Sequence, residues 1–124
     1  MFDLESARRQ MIEQQIRAWE VLNPGVLDVF DQVPREEFVP ARYRELAFAD
    51  MQIPLGHGQR MLSPQLEGRI LQALGIRKGD RVLEVGTGSG FFAACLSRLA
   101  HKVHSLEIFP DLAAAASQIG RAHV

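Results

Sequence analysis

The sequence predicts an α/β fold built on a parallel sheet, and three observations carry that prediction. The run Arg81-Val-Leu-Glu-Val-Gly-Thr-Gly-Ser-Gly90 reads as a short apolar strand entering a glycine-rich turn. An apolar helical stretch around Phe92, Ala93, Ala94 and Leu96 follows it. A second short apolar run, Lys102 to Leu106, then closes on Glu107. Strand, turn, helix and strand in this order form a βαβ unit, in which the strands run parallel. Glycines at 86, 88 and 90 uncover backbone N–H groups at the helix N-terminus, so a ligand can lie directly against them. The unit is half of a site for an adenosine-containing cofactor in a Rossmann-like sheet.

Ahead of this unit the apolar period is helical. Asp3 is placed to cap a helix in which Leu4, Ala7, Met11, Ile12, Ile16, Trp19 and Leu22 recur at three- and four-residue spacing. Arg8, Arg9, Glu13, Gln14, Arg17 and Glu20 fall largely outside that stripe, and Trp19 is read as a packing residue. Asn23-Pro24 makes a new cap and first turn, with Val26, Leu27, Phe30 and Val33 on one face until Pro34 stops the helix. The stretch from Pro34 to Pro54 reads as an ordered, largely irregular arm with one helical turn near Arg42 to Leu46. Ser63-Pro64 starts a third helix with Leu66, Ile70, Leu71 and Leu74 inward, ended by Gly75. Lys78-Gly79-Asp80 turns into the first strand. After the second strand, Pro110-Asp111 opens a helix with Leu112, Ala115 and Ile119 on one side and Gly120 at its end.

Two regions follow: residues 1–62 as helical region and substrate loop, and 63–124 as the first half of the cofactor-binding unit. At Ala122-His123-Val124 a third strand is expected to begin, so the fold reads as incomplete: N-terminal helices, two strands and the start of a third. An unpaired edge of a parallel sheet would favour self-association.

Composition narrows the class. With 124 residues, 47% hydrophobic and 23% charged, the chain reads as a soluble globular domain at most. A formal net charge of -1 without a basic cluster argues against a nucleic-acid surface. No apolar run approaches the ~20 residues a bilayer requires, and the N-terminus is not a signal peptide, so no membrane partner and a cytoplasmic location are expected. Cys95, the one cysteine, falls among apolar residues and reads as a small buried filler. His101, His104 and His123 have no metal-ligand spacing, so no metal is expected.

Charge separates the cofactor classes. A dinucleotide fingerprint wants a third glycine at the sixth position, where this chain has Phe91. Glu84, just before the first glycine, would repel a pyrophosphate and suit an ammonium or sulfonium group. S-adenosylmethionine carries both cations and no phosphate. Glu107 follows Gly86 at roughly the ~20-residue interval that sets an acid on ribose hydroxyls, which fits either cofactor. A dinucleotide-binding or purely structural turn is the competing reading.

Met51-Gln-Ile-Pro-Leu-Gly-His-Gly-Gln-Arg-Met-Leu-Ser-Pro64 is the second informative stretch. Gly56 and Gly58 between Pro54 and Pro64 make a rigid, backbone-exposing loop able to fold over the cofactor end of the sheet, as a substrate lid. His57 at its tip reads as a hydrogen-bonding structural residue before a base.

Three ordered motifs, Val33-Pro34-Arg35-Glu36-Glu37-Phe38-Val39-Pro40, Pro54-Leu55-Gly56-His57-Gly58-Gln59 and Val82-Leu83-Glu84-Val85-Gly86-Thr87-Gly88-Ser89-Gly90-Phe91, resemble those of the protein-L-isoaspartate O-methyltransferases. The resemblance spans about residues 8 to 119. It implies methyl transfer from S-adenosylmethionine to the carboxylate of isoaspartyl residues in damaged proteins, a protein-repair reaction. It further implies that Gly86, Thr87, Gly88, Ser89 and Gly90 line the cofactor, that Glu107 holds the ribose, and that Gly56, His57, Gly58 and Gln59 belong to the substrate loop; Glu84, from its charge, and Ile108, next to Glu107, complete the cofactor-binding candidates.

The lid departs from the family. Where relatives read Gly-Gln-Thr-Ile-Ser-Gln-Pro, this chain reads Gly58-Gln59-Arg60-Met61-Leu62-Ser63-Pro64. Leu62 cannot donate the hydrogen bond that orients a carboxylate, whereas Arg60 can pair with one bidentately and Ser63 restores a hydroxyl. Arg60 and Ser63 are therefore the catalytic candidates, and a family member with a different substrate, or one that only binds cofactor, is the alternative. A carboxylate nucleophile is already ionised at neutral pH, so alignment and drying suffice and a general base is not needed.

Overall fold

A computed structural model describes residues 2–119. The first helical segment is one rod with three pitches. Helix α1, Leu4–Gln10, is capped by Asp3, whose carboxylate accepts from the Glu5 N–H at 3.1 Å. A π-helical stretch, Met11–Ile16, and a 3-10 turn, Arg17–Trp19, continue it until Glu20 turns left-handed at φ 63°. Helix α2, Pro24–Gln32, starts at Asn23, whose side chain accepts from the N–H groups of Gly25 and Val26. Pro24 sits in the first turn, where a missing donor costs nothing. In the arm that follows, two 3-10 turns form at Arg35–Glu37 and Ala41–Leu46, the second where a helical turn was expected.

The stretch expected as a plain loop contains an antiparallel hairpin of β1, Pro54–Gly56, and β2, Gln59–Arg60. Helix α3, Pro64–Leu74, ends at Gly75 with φ 58°. Strand β3, Arg81–Val85, helix α4, Phe91–Leu99, and strand β4, Lys102–Leu106, make the βαβ unit, with β3 parallel to β4 in register from Arg81 opposite Lys102 to Val85 opposite Leu106. Helix α5 is Pro110–Ile119.

Strand alternation assigns the faces. Val82, Val103 and Ser105 turn toward the helices and are partly or fully buried, with Glu84 on the same side. Leu83, Val85 and Leu106 point the other way and are 64%, 79% and 55% exposed. At the centre of the core, the Phe91 ring lies 5.8 Å from Phe30 and 5.9 Å from Phe38. One apolar cluster runs from Met11, Ile16 and Phe30 to Leu71, Leu96 and Val103, so the described residues on either side of position 62 share a core.

Several expected faces are rotated. Arg8, placed outside the apolar stripe, is buried: its guanidinium forks onto Glu36 at 3.2 and 2.9 Å and lies over the Phe48 ring. Trp19 and Leu22, counted into the stripe, are 48% and 55% exposed. A π turn uses more residues than an α turn, so the three-and-four count from Met11 loses register before it reaches Trp19. On α3 the buried face is Gln65, Glu67, Gly68 and Leu71, while Leu74 is exposed. Gly68 marks this face as the close-packed one, because a Cβ there would come within 3.1 Å of Ile16 and 3.3 Å of Val21. On α5, Ala116 is buried and Ala115 and Ile119 are exposed. Gly120 as a helix end and the strand start at Ala122-His123-Val124 lie outside the described residues. Among those described, no helix is long and apolar enough to cross a membrane, and no three His, Cys, Asp or Glu side chains group to hold a metal.

Candidate functional site

The chain leaves β3 and β4 at the same end of the sheet, and a cleft of two adjoining lobes opens there. The larger, about 510 Å³, is lined by Gln59, Arg60, Val85, Gly86, Gly88, Leu106, Glu107, Ile108 and Phe109. The smaller, about 260 Å³, is lined by Arg60, Met61, Leu62, Glu67, Ile70, Glu84, Val85, Gly86, Thr87, Gly88, Ser89 and Phe92. Ligands of open parallel sheets bind at this carboxyl end. Backbone pairing prepares the turn: Gly86 and Thr87 both donate N–H to the Leu106 carbonyl, holding the two strand ends together.

Glu107 is oriented before any ligand arrives. Its Oε1 accepts from the Gly88 N–H at 2.8 Å and its Oε2 from the Phe109 N–H at 3.1 Å. Each oxygen keeps a further lone pair for a donor in the larger lobe. Glu84 faces the smaller lobe, where Ser105 donates to its Oε1 at 2.5 Å. Burial pushes the Glu84 carboxyl up to about 7; the Ser105 hydrogen bond pulls the other way, and the charges of Glu67 and Glu107 add to the rise. Thr87 is buried with its hydroxyl on Ser105, and Ser89 accepts from the Phe91 N–H to start α4.

Gly90 behaves differently from its neighbours in the turn. It is buried, does not line either lobe, and with φ 90° it abuts α5: a Cβ there would sit 2.7 Å from the Ala116 Cβ. Its missing side chain serves packing between the turn and α5.

The hairpin covers the cleft from the other side. Arg60 lines both lobes and, among the described residues, makes no ion pair. Gln59 borders the larger lobe and Leu62 the smaller. Gly56, His57 and Gly58 form the tip and do not line the cleft. His57 adopts φ 55°, stacks its ring on Phe109 at 4.2 Å and bonds to Asp111. Ser63 also stands outside the lining, at the N-cap of α3 with no side-chain capping bond.

Sequence reasoning overlooked the support of this cleft. Arg35 is fully buried, donating to the Ala47 carbonyl at 2.7 Å, to Glu67 at 2.5 Å and to the Leu62 carbonyl at 3.2 Å, with its guanidinium over the Phe91 ring. It ties the arm, the lid, α3 and α4 to one point. Burial raises the Glu67 carboxyl above its ordinary value, and the attraction and hydrogen bond of Arg35 oppose that rise. Arg35 stands in a mixed charge run within the arm that reads as ordered and largely irregular, with no pattern that marks it as buried. Ser105 left a signal: a polar residue on the inward face of an apolar strand.

A family model described as Protein-L-isoaspartate(D-aspartate) O-methyltransferase matches residues 6–123. The chain belongs to this family. Protein-L-isoaspartate O-methyltransferase 2 of Anaeromyxobacter sp. (strain Fw109-5) is 44% identical over 108 residues, covering 87% of this chain and 44% of the relative. A Roseiflexus castenholzii protein-L-isoaspartate O-methyltransferase is 42% identical over 119 residues, covering 96% of this chain and 54% of the relative. The chain thus spans about half the length of the curated relatives it matches. The fold likeness extends to a Plasmodium falciparum protein-L-isoaspartate O-methyltransferase solved with S-adenosyl-L-homocysteine, with TM-score 0.75 and 20% identity over 94% of this chain and 54% of that one. The Rossmann-like reading of the βαβ unit is therefore sound, and the isoaspartate methyltransferase family is where its cleft and lid have to be understood.

Proposed function

We propose that the chain carries the S-adenosylmethionine half of a methyltransferase acting on isoaspartyl carboxylates in proteins. One observation supports this above others: two carboxylates, Glu84 and Glu107, line one cleft at the ends of adjacent parallel strands, with the glycine turn between them. Such a cleft attracts a sulfonium and an ammonium and repels a pyrophosphate, which disfavours a dinucleotide. The residues present fit the cofactor: Glu107 for the ribose diol, exposed Ile108 as an apolar surface for the base, and Glu84 and Ser89 toward the amino-acid end. Thr87 lines the smaller lobe with its hydroxyl on Ser105, and Gly90 acts behind the wall, against Ala116.

When bound, S-adenosylmethionine supplies an electrophilic methyl group. The protein's own residues then orient and dry the site. Arg60, exposed and lining both lobes, is the candidate to pair with the substrate carboxylate. Ser63 would have to leave its capping position to take part.

A second reading has its own observation. Leu62, which has no hydrogen-bond donor on its side chain, borders the smaller lobe, so this lid offers no orienting hydroxyl there. The substrate would then be a different nucleophile, or the chain would bind cofactor alone. Labelled S-adenosylmethionine binding tests the cofactor assignment, and methyl incorporation into an isoaspartyl peptide tests the substrate. Replacing Arg60 by Thr and Leu62 by Ser together separates the readings: a clear gain on the isoaspartyl peptide means the natural lid is tuned away from it, and a loss means Arg60 serves it. Cofactor binding without methylation by either protein favours the second reading.

A further inference from the structure

The inward face of the two strands carries a feature that the binding of cofactor does not by itself require. Ser105 is 1% exposed, and its one hydroxyl group touches two others. Its Oγ lies 2.5 Å from Glu84 Oε1 on the paired strand and 2.5 Å from Thr87 Oγ1 in the glycine turn. The parallel register sets Glu84 directly opposite Ser105, so the contact is built into the sheet. We propose that Ser105 is a positioning residue that joins Glu84 to the glycine turn as one hydroxyl relay, so that a cation entering the smaller lobe expels one proton from Glu84. This rests on the cofactor reading above and adds a proton to its binding equilibrium.

Hydrogen counting allows two states of the relay. With Glu84 ionised, the Ser105 O–H donates to the carboxylate and the Thr87 O–H donates to Ser105 Oγ. With Glu84 protonated, the direction reverses: the carboxyl O–H donates to Ser105 Oγ, and the Ser105 O–H donates to Thr87 Oγ1. A cation beside Glu84 favours the first state, and the carboxyl proton leaves to solvent with no other bond made or broken.

The surroundings poise the relay. Glu67 from α3 and Glu107 beyond β4 face Glu84 with like charge, and Cys95 on α4 is a thiol that burial holds protonated. Arg60 from β2 is the cation lining the same lobe, and Arg35 compensates Glu67 behind it. Burial, with the like charges of Glu67 and Glu107 and against the Ser105 hydrogen bond, holds the Glu84 carboxyl near about 7, where a small bias moves its proton.

Calorimetric titration of the full chain with S-adenosylmethionine, in two buffers of unlike ionisation enthalpy, reads the proton count directly. At pH 6 close to one proton should leave per ligand bound, falling toward none at pH 8. Glu84→Gln should abolish the release. Ser105→Ala removes the bond that favours the ionised carboxyl, so release should persist to higher pH. Carbon NMR of the Glu84 carboxyl, which needs no ligand, should show its titration moved upward in the same variant. Binding without proton release at pH 6, or a Glu84 titration unmoved by Ser105→Ala, would overturn this inference alone. An absence of binding at both pH values would overturn the cofactor reading and this inference with it.

Discussion

His57 Nε2 sits 2.9 Å from each carboxylate oxygen of Asp111, across 54 positions of sequence. The same imidazole lies flat on Phe109, which itself lines the larger lobe. The lid is thereby clasped to the segment that carries Glu107. The hydrogen bond to His57 holds the Asp111 carboxyl below its ordinary value, so the carboxylate's share of the clasp should be lost as pH falls through that lowered range. His57→Ala should speed amide exchange and proteolysis across residues 54–60 while protection in α2 and α4 is unchanged. Equal protection of the hairpin in both proteins would mean that β1 and β2 stand without the clasp.

The Arg35–Glu67 pair is buried, so cutting one partner leaves an uncompensated charge or donor. Glu67→Gln should cost about 3 kcal/mol or more in denaturant unfolding. Arg35→Met combined with Glu67→Leu should be less harmful than the two single losses summed, because no lone charge is then buried. Strict additivity in the cycle would show that the two side chains act separately.

Gly90→Ala tests the contact with α5. The new methyl would meet the Ala116 Cβ at 2.7 Å in a backbone at φ 90°, so about 1–3 kcal/mol of stability should be lost. Gly79→Ala, with no heavy atom within 4 Å, is the control and should stay within about 0.5 kcal/mol.

For Glu84 the sign of the pH effect is set by its raised carboxyl. Between its ordinary 4.5 and about 7, the folded chain keeps a proton that the unfolded chain releases. Stability from this group is therefore greatest at low pH and lost as pH rises through that window. Glu84→Gln should remove the slope, so its stability relative to the parent should climb from pH 4.5 to 7. Parallel pH curves would show that the carboxyl is not poised this way.

Glu107→Ala should weaken S-adenosylhomocysteine binding at least tenfold, since charge-assisted hydrogen bonds contribute about 1.5–3 kcal/mol each. Circular dichroism should change little, because among the described residues the substitution releases two backbone donors, the N–H groups of Gly88 and Phe109. Unchanged affinity would remove Glu107 from the ribose site.

The sequence by itself determined the local elements and the family. Asp3, Asn23-Pro24 and Gly75 act on backbone groups within a few residues, so their caps are readable one segment at a time. The strands Arg81–Val85 and Lys102–Leu106 are equally legible, because a short apolar run and a glycine turn are local patterns. The acids Glu84 and Glu107 were legible as a pair through their spacing from that turn.

Tertiary structure alone decided which polar groups are buried and which faces turn inward. Arg8 meets Glu36 across 28 positions, Arg35 meets Glu67 across 32 and Ser105 meets Glu84 across 21. In each case burial depends on a partner whose distance along the chain carries no periodic signal. The π turn at Met11–Ile16 rotates a helix face away from the count that spacing predicts, and on α3 the close-packed face is the one that carries Gly68. Gly90 was read as part of the cofactor wall and packs instead against Ala116, a residue 26 positions on. Local propensity sets what each segment becomes, and the desolvation of paired charges and the fit of close backbones set how segments meet.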